Sequence, residues 1–162
     1  MCIFLPPKGC CYGNVRRSMV IDLESLHKDG VQDVFVFCNH SELKMCHADD
    51  LLYGYDRRGF KVHYYPIAND QTMSVSKCVP ILCEIESCLR AGHKIILQCV
   101  DGLGKSCTVA GALWLFLDKH VTPLVVMETL CQLRGPMAIA RVKHYNYLND
   151  FRKNAALVLS PT

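Results

Sequence analysis

One segment of the sequence combines a cysteine, glycines, a lysine and a serine in a spacing that could do phosphate chemistry. It reads QCVDGLGKS over positions 98–106. An apolar run precedes the cysteine and an apolar helical stretch follows the serine, so the segment is predicted to be a tight loop between a strand and a helix. Such a loop, reinforced by the helix dipole, directs backbone N–H groups at an anion.

The side chains of this segment predict a nucleophile aimed at phosphorus. Cys99 lies at the start of the loop, where the same electrostatic field would stabilise its thiolate. Lys105 is expected to hold the outer oxygens of the phosphate, and Ser106 is expected to donate a hydrogen bond to the thiolate. The phosphate-binding positions are predicted to be Val100, Asp101, Gly102, Leu103, Gly104 and Lys105.

The elements before the loop alternate between helix and strand. A short helix over 22–28 is closed by Gly30, and a buried strand is predicted over 34–38 because the residues are β-branched and aromatic. A second helix over 51–58 is followed by a strand over 61–65. This alternation is typical of parallel sheets.

The elements that flank the loop directly continue the alternation. The sequence predicts a long amphipathic helix from Ser74 to near Gly92, a strand over 95–99 and a helix over 105–119. Thr122 and Pro123 mark the start of a helix that runs to about 134. One face of a last helix is marked by Ile139, Val142, Tyr145, Leu148, Phe151 and Ala155. We therefore expect an α/β domain with a central, mostly parallel sheet flanked by helices, and a site at the carboxyl ends of the strands.

Length and composition limit the class of protein. The chain has 162 residues, of which 51% are hydrophobic and 20% charged, as expected of one globular domain over 1–162 with an irregular segment at 1–12. The apolar runs are too short for a membrane helix, and the first residues do not resemble a secretory signal. A cytoplasmic or nuclear location is expected. The net charge of +3 without a basic cluster argues against nucleic-acid or membrane partners.

The sequence shows no metal-binding pattern. The histidines have no H-E-x-x-H or related spacing, and the eleven cysteines form no paired C-x-x-C motifs. Cys78, Cys83 and Cys88 recur every five residues, which does not keep them on one helical face, so they are assigned to packing. No metal and no cofactor are predicted.

Several segments resemble a known family. These are positions 14–17, 30–38, 65–68, 102–104, 133–135 and 145–148, which read NVRR, GVQDVFVFC, YPIA, GLG, LRG and YNYL. Together with the C-x5-[basic]-S loop they resemble the kinase-associated phosphatases, dual-specificity members of the cysteine-dependent protein tyrosine phosphatase superfamily. The resemblance implies a dual-specificity phosphatase fold. It also implies that the partner is a phosphoprotein, a cyclin-dependent kinase.

The chain departs from that family at the site itself. Gln98 stands where the family has histidine, Lys105 where it has arginine, and Asp101 where it has a small residue. Asn69 occupies the position of the general acid, with Asp70 one place later as a substitute if the loop shifts. A general acid contributes about 10²–10⁴-fold. The expected function is binding of a cyclin-dependent kinase and its phosphothreonine, with catalysis weak or lost.

Three alternatives stay open. In the first, the chain is an active Ser/Thr/Tyr phosphatase in which Cys99 forms a phosphocysteine intermediate. In the second, positions 104–106 form the end of a degenerate Walker A loop that binds a nucleotide, although Cys99 replaces its first glycine. The third concerns regulation and rests on the resemblance: some phosphatases of this class carry a second cysteine on a neighbouring strand, so Cys38 and Cys99 are a candidate redox disulfide.

Overall fold

A computed structural model describes residues 18–68 and 71–160 of the chain. The segment 1–12, for which irregular structure is predicted, lies outside the described residues. The same holds for Asn69 and Asp70, so the predicted displaced general acid has no described position.

Seven helices and three strands occur in the described residues. In chain order they are α1 (Met19–Lys28), β1 (Val31–Val36), α2 (His40–Met45), α3 (Leu51–Asp56), β2 (Lys61–Tyr64), α4 (Val75–Arg90), β3 (Lys94–Gln98), α5 (Lys105–Leu117), α6 (Pro123–Arg134) and α7 (Val142–Leu159).

The three strands form one parallel sheet in the order β2-β1-β3. Val34 in the central strand pairs with Val62 on one side and with Ile96 on the other. The α/β prediction with a parallel sheet and flanking helices is thereby confirmed. Because all three strands run in the same direction, their carboxyl ends meet at one edge, from which the loop after β3 emerges.

The sheet is covered on both faces by helices. Alternate residues of β1 and of the segment directly after it face two groups of buried side chains. Phe35 and Phe37 pack with α4, α5, α6 and α7, whereas Val34 and Val36 pack with α1, α2 and α3. The near-continuous burial of β1 reflects this two-sided covering. No helix in ranges 18–68 and 71–160 is long and apolar enough to cross a membrane.

Some predicted boundaries differ from the structure. The first strand begins at Val31 and ends at Val36, earlier at both ends than the predicted range 34–38. The buried residues Phe37 and Cys38 continue past the strand, and their apolar character extended the predicted range. The strand predicted over 95–99 likewise lies at Lys94–Gln98, so Cys99 already belongs to the loop.

Two helices also differ from the prediction. Helix α2 was not expected, because only six residues follow its cap and they carry no long apolar period. In α7, Leu148, Phe151 and Ala155 are buried as predicted, but Val142 and Tyr145 are exposed. The first turn of α7 lies at the mouth of a cleft rather than over the core, and its buried residue is His144.

Candidate active site

The loop between β3 and α5 encloses the predicted nucleophile. Gly102 has a left-handed backbone (φ 70°), which lets the chain turn within the loop, and α5 begins at Lys105 directly after it. The Cys99 side chain is buried at the base of a cleft of about 110 Å³. The cleft is lined by loop residues together with Glu42, Gln71, Arg141, Lys143 and His144.

Cys99 contacts the serine predicted to assist it. Its Sγ lies 3.0 Å from Ser106 Oγ, which agrees with the expected hydrogen bond. Burial nevertheless raises the pKa of the Cys99 thiol; hydrogen bonds with Ser106 lower it in part, and the negative charge of Asp101 raises it further. The net direction is upward, so the thiol form predominates at neutral pH and the nucleophilic thiolate is scarce.

Asp101 places a carboxylate inside the anion-binding loop. Its Oδ1 accepts a hydrogen bond from the backbone N–H of Leu103 at 2.9 Å and a longer one from Gly104 at 3.4 Å. It also lies 3.5 Å from Cys99 Sγ. The carboxylate therefore uses two of the amides that were predicted to bind phosphate, and it adds negative charge next to the nucleophile.

The Lys105 ammonium is bound by protein oxygens at the edge of the cleft. It donates to both carboxylate oxygens of Glu42, at 2.6 and 2.7 Å, and to the carbonyl of Ile67 at 2.7 Å. An ammonium has three N–H donors, so these three contacts use all of them. The arginine of the family has five N–H donors in a planar fork, so it could bind these groups and still donate to phosphate. Lysine lacks the two additional donors.

Glu42 is a site residue that the sequence analysis missed. Helix α2 presents it through a capping box: Asn39 Oδ1 accepts from the Glu42 N–H, and Glu42 Oε2 accepts from the Asn39 N–H, both at 2.9 Å. The N-x-x-E spacing of a capping box was visible in the sequence. Its pairing with a lysine 63 positions away was not visible.

Gln98, which replaces the histidine of the family, is buried, and its side chain is hydrogen-bonded to a residue of helix α3. Its Oε1 accepts a hydrogen bond of 2.8 Å from the Tyr55 hydroxyl. A neutral amide contributes no positive charge to the loop. The Gln98 position therefore does nothing to offset the effect of burial on Cys99.

Positively charged side chains at the start of α7 lie beside the cleft. Arg141 and Lys143 line it, and His144 packs against the loop so closely that a methyl group at Gly104 would lie 3.0 Å from its ring. Burial lowers the pKa of His144, and the charges of Lys143 and Arg141 lower it further. The sequence analysis did not single out these residues, because neither periodicity nor a motif marks them.

Cys38 follows β1 as Cys99 follows β3, on neighbouring strands. The strand pairing extends to a hydrogen bond between the Phe37 N–H and the Gln98 carbonyl, immediately before the two cysteines. Both thiols are buried and free. Burial raises the pKa of Cys38, and the nearby Cys99 raises it further. Their oxidation to a disulfide stays a prediction.

Comparisons with known proteins identify the family. The family model for cyclin-dependent kinase inhibitor 3 (CDKN3) matches residues 1–127. Cyclin-dependent kinase inhibitor 3 of Homo sapiens is 40% identical over 152 residues, which cover 94% of this chain and 72% of the relative. The rat protein of the same name is 39% identical over the same coverage.

Solved structures agree with these relatives. A crystal structure of kinase-associated phosphatase, with its catalytic-site cysteine replaced by serine, superposes with a TM-score of 0.88 at 37% identity and covers 94% of this chain and 86% of that chain. The active form of Tk-PTP has a TM-score of 0.74 at 23% identity over 93% and 90% of the two chains, a likeness of fold. The chain belongs to the cyclin-dependent kinase inhibitor 3 family and has the protein tyrosine phosphatase fold.

Proposed function

We propose that this chain binds a phosphorylated cyclin-dependent kinase through the cleft and dephosphorylates it weakly or not at all. The kinase partner is inferred from its relatives, which carry the name cyclin-dependent kinase inhibitor 3, and from the structural similarity to kinase-associated phosphatase. The phosphothreonine of the kinase is the proposed ligand, and Arg141 and Lys143 supply the positive charge that attracts it.

The main observation in favour of weak or lost catalysis is the pair of hydrogen bonds that Asp101 accepts from the loop. A phosphate seated above Cys99 would have to displace this carboxylate from the N–H groups of Leu103 and Gly104. Two like charges about 4 Å apart repel by roughly 1 kcal/mol in water and by roughly 4 kcal/mol at an effective dielectric constant of about 20. Donors occupied by Asp101 cannot at the same time stabilise the oxygens of the transferring phosphoryl group in the transition state.

Two further features of the site also disfavour catalysis. All donors of Lys105 are used by Glu42 and Ile67, so stabilising a transferring phosphoryl group would require breaking a buried ion pair. The protonated Cys99 must lose its proton before it attacks, which adds to the barrier.

An active phosphatase is the second candidate, and the contact of 3.0 Å between Cys99 and Ser106 favours it. In that mechanism the Cys99 thiolate attacks phosphorus and the bond from phosphorus to the leaving oxygen breaks. The leaving alkoxide takes a proton from Asp70 or water. Water then hydrolyses the phosphocysteine and releases inorganic phosphate, while Ser106 stabilises the departing thiolate. The nucleotide alternative has no comparable support, because the ammonium that would bind nucleotide phosphates is bound to Glu42.

Hydrolysis of an aryl phosphate separates the two candidates. The wild type is compared with Cys99→Ser and with an Asn69→Asp, Asp101→Ala, Lys105→Arg repair variant. We expect no cysteine-dependent turnover in the wild type and measurable turnover in the repair variant, which loses activity when Cys99→Ser is added. Wild-type turnover that disappears in Cys99→Ser would contradict the proposed loss of catalysis.

Binding is tested separately with a cyclin-dependent kinase in its phosphorylated and unphosphorylated forms. We expect the wild type to bind the phosphorylated kinase more tightly, and Arg141→Ala with Lys143→Ala to remove that preference. An exposed pair outside the cleft, Lys28→Ala with Lys119→Ala, controls for the loss of charge. Equal affinity of the wild type for both kinase forms would overturn the proposed recognition of phosphothreonine.

A further inference from the structure

A buried group of polar side chains lies away from the cleft, toward the amino-terminal end of the sheet. It consists of Asp33 in β1, His63 in β2 and Cys88 in α4, all on the face that packs against α4. These side chains come from three different elements and are all buried. The proposed phosphate chemistry uses none of them.

The three side chains converge on one point. Asp33 Oδ1 lies 2.7 Å from His63 Nε2 and 3.5 Å from Cys88 Sγ, and the three ligand atoms all lie within 4.8 Å of one another. The Phe35 ring stacks on the His63 ring at 4.2 Å between centroids and limits its rotation. The group therefore offers an oxygen, a nitrogen and a sulfur atom within 4.8 Å of one another.

A second layer of side chains orients these three. His63 Nδ1 lies 2.8 Å from Glu84 Oε1, and the Tyr65 hydroxyl donates to the other oxygen of Glu84. His93 Nδ1 lies 2.6 Å from Asp33 Oδ2. Histidines that bind a metal almost always donate their second ring N–H to a carboxylate or carbonyl, as His63 can to Glu84.

The histidine is unusual because both of its nitrogens face carboxylate oxygens. Nε2 lies within hydrogen-bond distance of Asp33 and Nδ1 within hydrogen-bond distance of Glu84. A metal ion at the position between Asp33 and His63 would replace the hydrogen bond at Nε2 and leave the bond to Glu84 intact. A cation would therefore take over the role of this hydrogen bond after Asp33 and His63 move apart from 2.7 Å.

We propose that Asp33 Oδ1, His63 Nε2 and Cys88 Sγ bind a zinc ion. Mixed nitrogen, oxygen and sulfur ligands are typical of Zn²⁺. In a tetrahedral site the oxygen and sulfur lie about 3.6 Å apart and the nitrogen and oxygen about 3.4 Å apart. The separation of 3.5 Å between Asp33 and Cys88 already fits, and the pair of Asp33 and His63 must open from 2.7 Å.

Binding of the ion displaces a proton from the site. Zinc binding releases the Cys88 thiol proton, His63 Nε2 binds through its lone pair with any proton of the ring kept on Nδ1, and no electron is transferred. The ion competes with a proton at the Cys88 sulfur, because the thiolate is the form that binds a metal. Binding should therefore strengthen as the pH rises.

Cobalt(II) is the probe for this site, because it occupies zinc sites and a cobalt-thiolate bond absorbs in the near ultraviolet. We expect the whole reduced chain to bind about one Co²⁺ with this band, to release the Cys88 thiol proton on binding, and to lose the band when Zn²⁺ is added. The Cys88→Ser variant should lose the band. The Cys83→Ser variant, in which an exposed cysteine of the same helix is replaced, should retain it.

A wild type that saturates with Co²⁺ without a thiolate band would overturn the proposal, whatever the variants do. So would a band that survives Cys88→Ser or disappears in Cys83→Ser. If Cys88→Ser fails to fold by circular dichroism, Glu84→Gln takes its place, because loss of an orienting carboxylate should weaken cobalt affinity about 10- to 100-fold. An unchanged affinity in Glu84→Gln would contradict the site.

Discussion

At the scale of single residues, the Asp101 carboxylate inside the anion-binding loop competes with phosphate for the same N–H donors. Asp101 acts through a local contact, since its side chain accepts from the N–H of a residue two positions later. An aspartate followed by glycine is typical of such a turn. The turn affects phosphate binding because it lies within the phosphate loop and uses N–H groups of that loop.

Replacing Asp101 should therefore strengthen oxyanion binding. In Asp101→Ala, the amides of Leu103 and Gly104 become available and a like charge is removed. We expect inorganic phosphate or tungstate to bind about tenfold more tightly, the equivalent of about 1.4 kcal/mol. Calorimetric titration measures this, with the exposed Asp49→Ala as the control. Equal affinities in Asp101→Ala and the wild type would contradict the role assigned to the carboxylate.

The reactivity of Cys99 gives a second prediction at this scale. Because burial raises the pKa of its thiol above the ordinary value of 9.0, alkylation by iodoacetamide should keep accelerating up to and beyond pH 9.0. The expected rise is about tenfold for each pH unit. Mass spectrometry of the Cys99 peptide measures the rate at each pH. A rate that levels off near neutral pH would show instead that the loop stabilises the thiolate.

At the scale of elements, the short helix α2 positions a residue that lines the cleft. Its capping box orients Glu42, and Glu42 in turn holds the first residue of α5. Six residues form too short a helix to be stable alone, so its position depends on the cap and on the buried Leu43. The geometry of the cleft thus depends on an element outside the loop.

Removing the cap of α2 should be measurable. We expect Asn39→Ala to lower the free energy of unfolding by about 1 kcal/mol, because a helix N-terminus loses its side-chain acceptor. Urea unfolding gives the value. Ser74→Ala is the matched control, since the Ser74 side chain makes no cap hydrogen bond at the start of α4 and its loss should change stability by less than about 0.5 kcal/mol. Equal losses would show that the cap contributes nothing specific.

At the scale of the whole molecule, the pair of Glu42 and Lys105 joins the two faces of the sheet. Glu42 belongs to the layer that contains α1, α2 and α3, and Lys105 begins a helix of the opposite layer. Their side chains are only 9% and 11% exposed, so each charge depends on the other for compensation. Removing one partner leaves an uncompensated buried charge.

A double-mutant cycle tests this bridge. Glu42→Gln and Lys105→Met should each cost about 3–5 kcal/mol in urea unfolding, whereas the double variant should cost clearly less than their sum. The exposed pair of Glu86 and Arg90, replaced by Gln and Met, should show a coupling below about 0.5 kcal/mol. Additive losses at Glu42 and Lys105 would mean that the pair is not a stabilising bridge.

The fold could be predicted from the sequence because its signals are local. The helix from Ser74, the cap at Thr122 followed by Pro123, and the buried central strand all follow from short-range periodicity and turn chemistry. Helix α2 was missed because six residues contain too little periodicity to recognise. The exposed face of Val142 and Tyr145 was misjudged because an apolar pattern does not reveal where the core ends.

The sequence by itself determined every element except α2, their parallel arrangement and the loop that carries Cys99, since these depend on residues close together along the chain. Only the tertiary structure decided which group neutralises Lys105, which side chains line the cleft, and that Asp33, His63 and Cys88 converge. The physical reason is that these contacts join residues 30 to 63 positions apart. Their partners are chosen by the packing of helices on the sheet, which no local pattern records.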